Sequence, residues 1–178
     1  MVRELFGRVG RVIGHPAGAF AEVRQERLPR SGLYLLLLLL ADSLVLVSGG
    51  LLLRPLLIAP YAGEHQVLGW LAIALIVPTV IGLGLATVAL GGLLLHPFAL
   101  LLGGRQGLAQ TLKVAIYAGT PAILTLWFPP VLPITAIWAL VLAVIGLRQL
   151  QGISSVRAAL AIALPVIVVG GLAVLVGR

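Results

Sequence analysis

The stretch Val67–Leu102, VLGWLAIALIVPTVIGLGLATVALGGLLLHPFALLL, decides the fold. From His65 to Gly104 no Asp, Glu, Lys or Arg interrupts it. As one helix it would run about 54 Å at about 1.5 Å per residue, well past the ~30 Å of bilayer hydrocarbon. It must therefore project beyond the membrane, or tilt and kink. Pro78 offers a kink because it lacks an N–H and crowds the carbonyl four residues back, and Pro97, beside His96, offers a second. Gly103-Gly104 supplies a permissive helix end before Arg105. The expectation is a long second membrane helix with the other spans packed round it.

Four further apolar runs flank this one. Span one covers about residues 32–53, interrupted by Asp42 and followed by Arg54-Pro55. A polar loop with Tyr61, Glu64 and His65 leads into the second span, about 67–102. Spans three, four and five follow at about 108–126, 131–147 and 156–176. Lys113 is placed to snorkel from one end of span three. Trp127-Phe128-Pro129-Pro130 reads as a tight turn with aromatics at interface depth, and Ser154-Ser155 as helix N-caps before span five. Gly82 with Ala86, and Ala139 with Ala143 and Gly146, place small residues on shared faces suited to close helix contact. The expected fold is an all-α polytopic membrane protein: residues 1–30 form basic amphipathic cytoplasmic helices, and residues 31–178 a five-helix transmembrane domain.

Composition supports that class. With 61% apolar and 10% charged residues, the chain is no ordinary soluble domain, and 178 residues leave no room for a separate one. The charge of +7 sits at the ends of apolar runs, which suits membrane orientation better than nucleic-acid binding. The chain has no cysteine, so disulfides, thiolate metal sites and cysteine nucleophiles are excluded. No cleavable signal is expected, since the first long apolar run starts only at Leu33.

The first thirty residues carry Val2, Leu5, Phe6, Val9, Val12 and Ile13 at helical spacing, with Arg3, Glu4, Arg8 and Arg11 on the other faces. Such a helix would lie in the headgroup region, apolar face down; a solvated tail is the alternative, because Gly7, Gly10 and Gly14 weaken it. Pro16 suits the start of a second short helix with Phe20 and Val23 on one side, which Pro29 would end. With five spans and the N-terminus inside, the inner face holds Arg3, Arg8, Arg11, Arg24, Arg27, Arg30, Arg105, Lys113, Arg148 and Arg157, and the outer face only Arg54 and Arg178. That bias predicts a cytoplasmic N-terminus and an outside C-terminus. The excess of Arg over Lys suggests a prokaryotic source, hence a cytoplasmic (inner) membrane.

Three stretches carry a family resemblance. His15-Pro16-Ala17-Gly18-Ala19-Phe20-Ala21-Glu22-Val23 is similar to the proline-plus-phenylalanine helix before span one in prokaryotic members of the Yip1 domain family. Gly103-Gly104 through Lys113-Val114-Ala115-Ile116-Tyr117-Ala118-Gly119-Thr120-Pro121 resembles that family's double-glycine, tyrosine and proline pattern. Ile145-Gly146-Leu147-Arg148 with Gly152-Ile153-Ser154 and Ala158-Ala159 resembles its linker between spans four and five. The resemblance implies a five-span membrane protein without known catalytic chemistry. Eukaryotic relatives are associated with Rab GTPases and membrane traffic, but this chain lacks their long polar N-terminal region.

Few residues suggest chemistry. Asp42 lies near mid-depth, where an ionised carboxylate costs at least ~2.5–3.5 kcal/mol on insertion scales. It reads either as a proton or cation site, or as a protonated acid bonded to Tyr117, Thr120 or a backbone carbonyl. His15, His65 and His96 are too dispersed for a metal or haem site. No G-x-S-x-G, H-E-x-x-H or P-loop occurs. No catalytic, cofactor or metal residues are therefore expected. The leading expectation is a non-enzymatic scaffold or adaptor, an accessory subunit of a larger membrane complex or a membrane-organising protein. Its basic face, with Arg8, Arg11, Arg24, Arg105 and Arg148, would meet anionic lipid headgroups, and its partners would be membrane proteins or further copies of itself. The alternative is a small-solute, ion or proton permeation protein built on Asp42.

Overall fold

The computed structural model describes residues 2–58 and 66–176. The helices are α1 (Val2–Gly14), α2 (Pro16–Arg24), α3 (Leu28–Ile58), α4 (Gln66–Leu101), α5 (Leu108–Ala118), α6 (Thr120–Leu124), α7 (Leu132–Gln151) and α8 (Ser155–Val176). A short 3-10 turn, Pro129–Val131, precedes α7. The loop with Tyr61, Glu64 and His65 lies outside the described residues, as does Arg178. No strand occurs among the described residues.

Among the described residues, three helices are long and apolar enough to cross a membrane: Leu28–Gly49, Ala74–Leu101 and Pro129–Gln151. α8 continues to Val176, and Ser155–Val168 is its described apolar part. The third expected span is an interrupted helix. α5 ends at Ala118, Gly119 intervenes, and α6 restarts with Pro121 in its first turn, where a missing N–H costs nothing. Together they reach about 25 Å at about 1.5 Å per residue, short of the ~30 Å hydrocarbon thickness.

The packing reverses one expectation. α4, read from the sequence as the centre, is peripheral: Leu75, Leu83, Leu90 and Leu94 all face outward. The centre is α5, whose Thr111, Val114, Tyr117 and the adjoining Thr120 are fully enclosed. α3, α4 and α7 surround it. A helix apolar on every side can face lipid on most of them, so hydrophobicity alone does not mark the core.

Local chemistry sets the helix ends. Gly103, at φ +98°, closes α4. Its N–H donates to Leu100 O and that of Gly104 to Ala99 O at 2.8 Å, the paired bonds of a Schellman cap. Ser154 Oγ accepts from Arg157 N at 3.4 Å and caps α8. Pro29 does not end α2, which already stops at Arg24; it stands in the first turn of α3. Among the small residues, Gly146 makes a close approach, since a Cβ there would lie 2.9 Å from the Phe20 ring. Gly82 borders open space, whereas Gly84 sits against Leu39.

α1 packs on the protein rather than apolar face down on lipid. Val12 is buried in the core, Leu5 and Val9 lie against it, and Phe6 points out.

Candidate functional site

The buried polar chemistry is concentrated where α1 and α2 meet α3, α5 and α6. Glu26, in the turn between α2 and α3, is the hub and is only 9% exposed. Arg8 Nη1 donates to its Oε1 at 2.8 Å and Oε2 at 3.0 Å. Tyr117 Oη donates to Oε2 at 2.7 Å and accepts from Arg8 Nη1 at 2.8 Å. Ser31 Oγ donates to Oε2 at 3.3 Å, and Arg30 Nε stands 3.2 Å from Oε1. The carboxylate thus has partners from α1, α3 and α5.

Aromatic rings form the floor of this cluster. Tyr34 stacks on Tyr117 with centroids 4.8 Å apart, and Phe20 meets Tyr117 edge-on at 6.4 Å. Phe20 fits because Gly146 of α7 leaves it room. Tyr34 Oη shares a 3.0 Å hydrogen bond with Thr120 Oγ1, and the Arg8 guanidinium lies 5.8 Å from the Tyr34 ring centroid.

Burial works against both charges of the Arg8–Glu26 pair, but their contacts outweigh it. Desolvation would raise the Glu26 pKa, yet the bonds from Arg8 and Tyr117 and the charges of Arg8 and Arg30 hold it below the usual carboxylate range. The same contacts carry Arg8 above its ordinary value despite desolvation. The pair is ionised and charge-assisted, and it clamps α1 to the bundle.

Lys113, one turn before Tyr117, does not snorkel to water. It is 2% exposed, and its Nζ donates to Val23 O at 3.0 Å and Arg24 O at 3.3 Å. Gln110 Nε2 adds a bond to Arg24 O at 3.1 Å. A cation on the last carbonyls of α2 satisfies acceptors the helix leaves open and suits the dipole. A further network ties the α4–α5 linker to α7. Gln151 Nε2 donates to Gly107 O at 3.0 Å and Thr111 Oγ1 at 2.9 Å, and its Oε1 accepts from Gln106 N at 3.1 Å. His96 Nδ1 joins it through Thr111 Oγ1 at 2.9 Å.

Tyr117 and Thr120 therefore belong to one cluster, and Asp42 does not. Asp42 is 3% exposed, and neither carboxylate oxygen has a hydrogen-bond partner among the described residues. The expected bond to Tyr117 or Thr120 is absent among the described residues because Asp42 stands at another level of the bundle. Tyr34 sits at their level, and Asp42 lies about 12 Å further along α3. Of the residues assigned to a basic face, Arg11, Arg24, Arg105 and Arg148 are exposed. Arg8 is instead turned inward onto Glu26 and Tyr117. Sequence reading missed Glu26, whose one signal was an acid amid arginines just ahead of span one.

A model of the Yip1 domain matches residues 10–177, which include Glu26, Tyr34, Lys113, Tyr117 and Thr120 and leave out Arg8. No curated protein and no solved structure matches the chain.

Proposed function

The chain belongs to the Yip1 domain family, and from that premise and the Glu26 cluster we propose a non-enzymatic membrane scaffold or adaptor that holds membrane proteins or further copies of itself. One observation carries the reading: the acid, hydroxyls and cations that could do chemistry are spent on one another. Glu26, Arg8, Tyr117, Tyr34 and Thr120 satisfy each other and fix the N-terminal helices in place. Outside that clamp lie two surfaces of opposite character. One is the apolar outer flank of α4 and α7, with Leu83, Leu90, Ile134 and Ile137 exposed. The other is a basic end with Arg11, Arg24, Arg105 and Arg148 exposed, suited to anionic headgroups. We place that end at the cytoplasmic face of a prokaryotic inner membrane. Reporters at Gly107 and Gly152 then read cytoplasmic, and one at residue 178 reads outside.

The test is photo-crosslinking in native membranes from Leu83 and Leu90. Discrete adducts with another membrane protein or a second copy are expected. Adducts with lipid alone overturn the scaffold reading.

A second reading rests on Asp42, whose two buried oxygens lack partners among the described residues. It makes the carboxyl a proton or cation site in a permeation path. Saturable flux from the pure protein in liposomes, abolished by Asp42→Asn with folding intact, would favour it.

A further inference from the structure

A cleft of about 520 Å³ opens between α1 and α3 beside the Glu26 cluster. Arg3, Arg8, Arg11 and Arg30 line it, with Glu4 as the one acid in its wall. Leu33 and Leu37 line its other part. On α3 the lining residues Arg30, Leu33, Tyr34 and Leu37 follow helical spacing, so one stripe of that helix faces the cleft. The α1 lining residues Arg3, Gly7 and Arg11 stand four apart and make the opposing stripe.

The order of chemistry along α3 matters most. Arg30 stands at the start of the span Leu28–Gly49. Leu37 lies about 10 Å further along the helix, deeper in that apolar span. Leu33, 53% exposed, sits between them. Cations are therefore gathered at the entry of the span, and an apolar wall runs on from them. Arg8 and Arg30 share Glu26, and Arg11 stands 3.7 Å from Glu22. Arg3 and Arg11 are both exposed at the rim.

We infer that the α1–α3 cleft binds one anionic phospholipid, its phosphate among Arg3, Arg11 and Arg30 and an acyl chain along Leu33 and Leu37. A soluble phosphate would leave the leucine wall unused, and a neutral alkyl chain would leave the arginines unanswered. Only a ligand with an anion at one end and hydrocarbon at the other matches both parts. This deepens the scaffold reading, on whose basic, membrane-facing end it rests, by making one lipid part of the N-terminal surface.

Gly7 supplies a test that leaves charge untouched. It stands in the α1 wall, and an added Cβ would meet nothing closer than Arg11 Nη1 at 3.8 Å. Gly7→Leu therefore fits the helix, favours it intrinsically, and fills the cleft. The full-length protein in detergent is mixed with equal phosphatidylglycerol and phosphatidylcholine and read by native mass spectrometry. One retained phosphatidylglycerol per chain is expected. Arg3→Gln lowers its retention about fivefold, the equivalent of about 1 kcal/mol per cation, and Gly7→Leu removes it. Arg157→Gln, an exposed cation outside the cleft, leaves it unchanged. Retention that survives both Gly7→Leu and Arg3→Gln overturns the site, as does equal loss in Arg157→Gln. Displacement by excess glycerol phosphate would show that a soluble anion suffices, and overturns the lipid assignment. If hydrogen exchange shows that Gly7→Leu undocks α1, Arg3→Gln alone decides. Cross-linking from Leu83 and Leu90 is read separately: no phosphatidylglycerol retained by the unsubstituted protein, with protein adducts intact, rejects this site and leaves the scaffold standing.

Discussion

Tyr117→Phe removes one oxygen from the centre of the clamp and keeps the ring. The stacking on Tyr34 and the edge contact with Phe20 remain. Two bonds disappear, one to Glu26 at 2.7 Å and one from Arg8 at 2.8 Å. Bonds to charged groups are each worth about 1.5–3 kcal/mol. The full sum is not lost, because Arg8 keeps Glu26 at 2.8 and 3.0 Å. Its side chain is also 25% exposed and so partly rehydrated. The net cost is about 2 kcal/mol for releasing α1. Amide exchange along α1 reads that opening directly, and about 2 kcal/mol corresponds to roughly 30-fold faster exchange at ~1.4 kcal/mol per decade. Arg8→Met should give a loss of similar size, and the double variant should fall short of the sum by about 1 kcal/mol, since the two side chains share one network. Exchange that speeds up less than about threefold in Tyr117→Phe would refute the clamp.

Other outcomes follow from the same geometry. Glu26 has a lowered folded pKa, so the docked state holds fewer protons than the free segment. Its contribution is complete above the ordinary carboxylate value near ~4.3 and is lost as pH falls through the folded value. The protection of α1 amides, taken relative to their intrinsic exchange rate at each pH, should therefore fall on acidification, and Glu26→Gln should flatten that dependence. Gly146→Ala puts a methyl group 2.9 Å from Phe20 and 3.0 Å from Val114. Phe20 is 1% exposed and has no room to yield, so a loss of about 1–3 kcal/mol is expected in unfolding midpoints. Lys113→Met takes one donor from each of the Val23 and Arg24 carbonyls and leaves them the bonds from Glu26 N and Gln110 Nε2; modestly faster exchange confined to α2 and its junction with α5 would report it.

The membrane class and most helix limits were legible because uncharged runs of this length have no other home. The Schellman end at Gly103 and the Ser154 cap were legible because each is a local arrangement. The position of α4 was not, since a helix apolar all round looks the same facing lipid or protein. The interruption at Gly119 stayed hidden because Gly and Pro are both tolerated within membrane helices. The clamp was the least legible. Glu26 and Tyr117 are 91 residues apart, and no local spacing links them. Lys113 and Arg8 misled for a related reason: a long cation near a span end reads as facing water until an inward acceptor is known. Asp42 is enclosed, but estimating its depth did not reveal that Tyr117 and Thr120 stand at another level, with Tyr34.

The Arg8–Tyr117 bond joins residues 109 positions apart, and that distance sets an order of events during synthesis. Translation delivers α1 and α2 first, but Tyr117 and the Gly146 recess for Phe20 come much later. Until α7 is in the bilayer, the N-terminal helices have only part of their seat. They must wait, exposed and basic, through most of the chain's insertion. Their docking is thus a late step, and its completion marks a chain whose third full-length span is already in place.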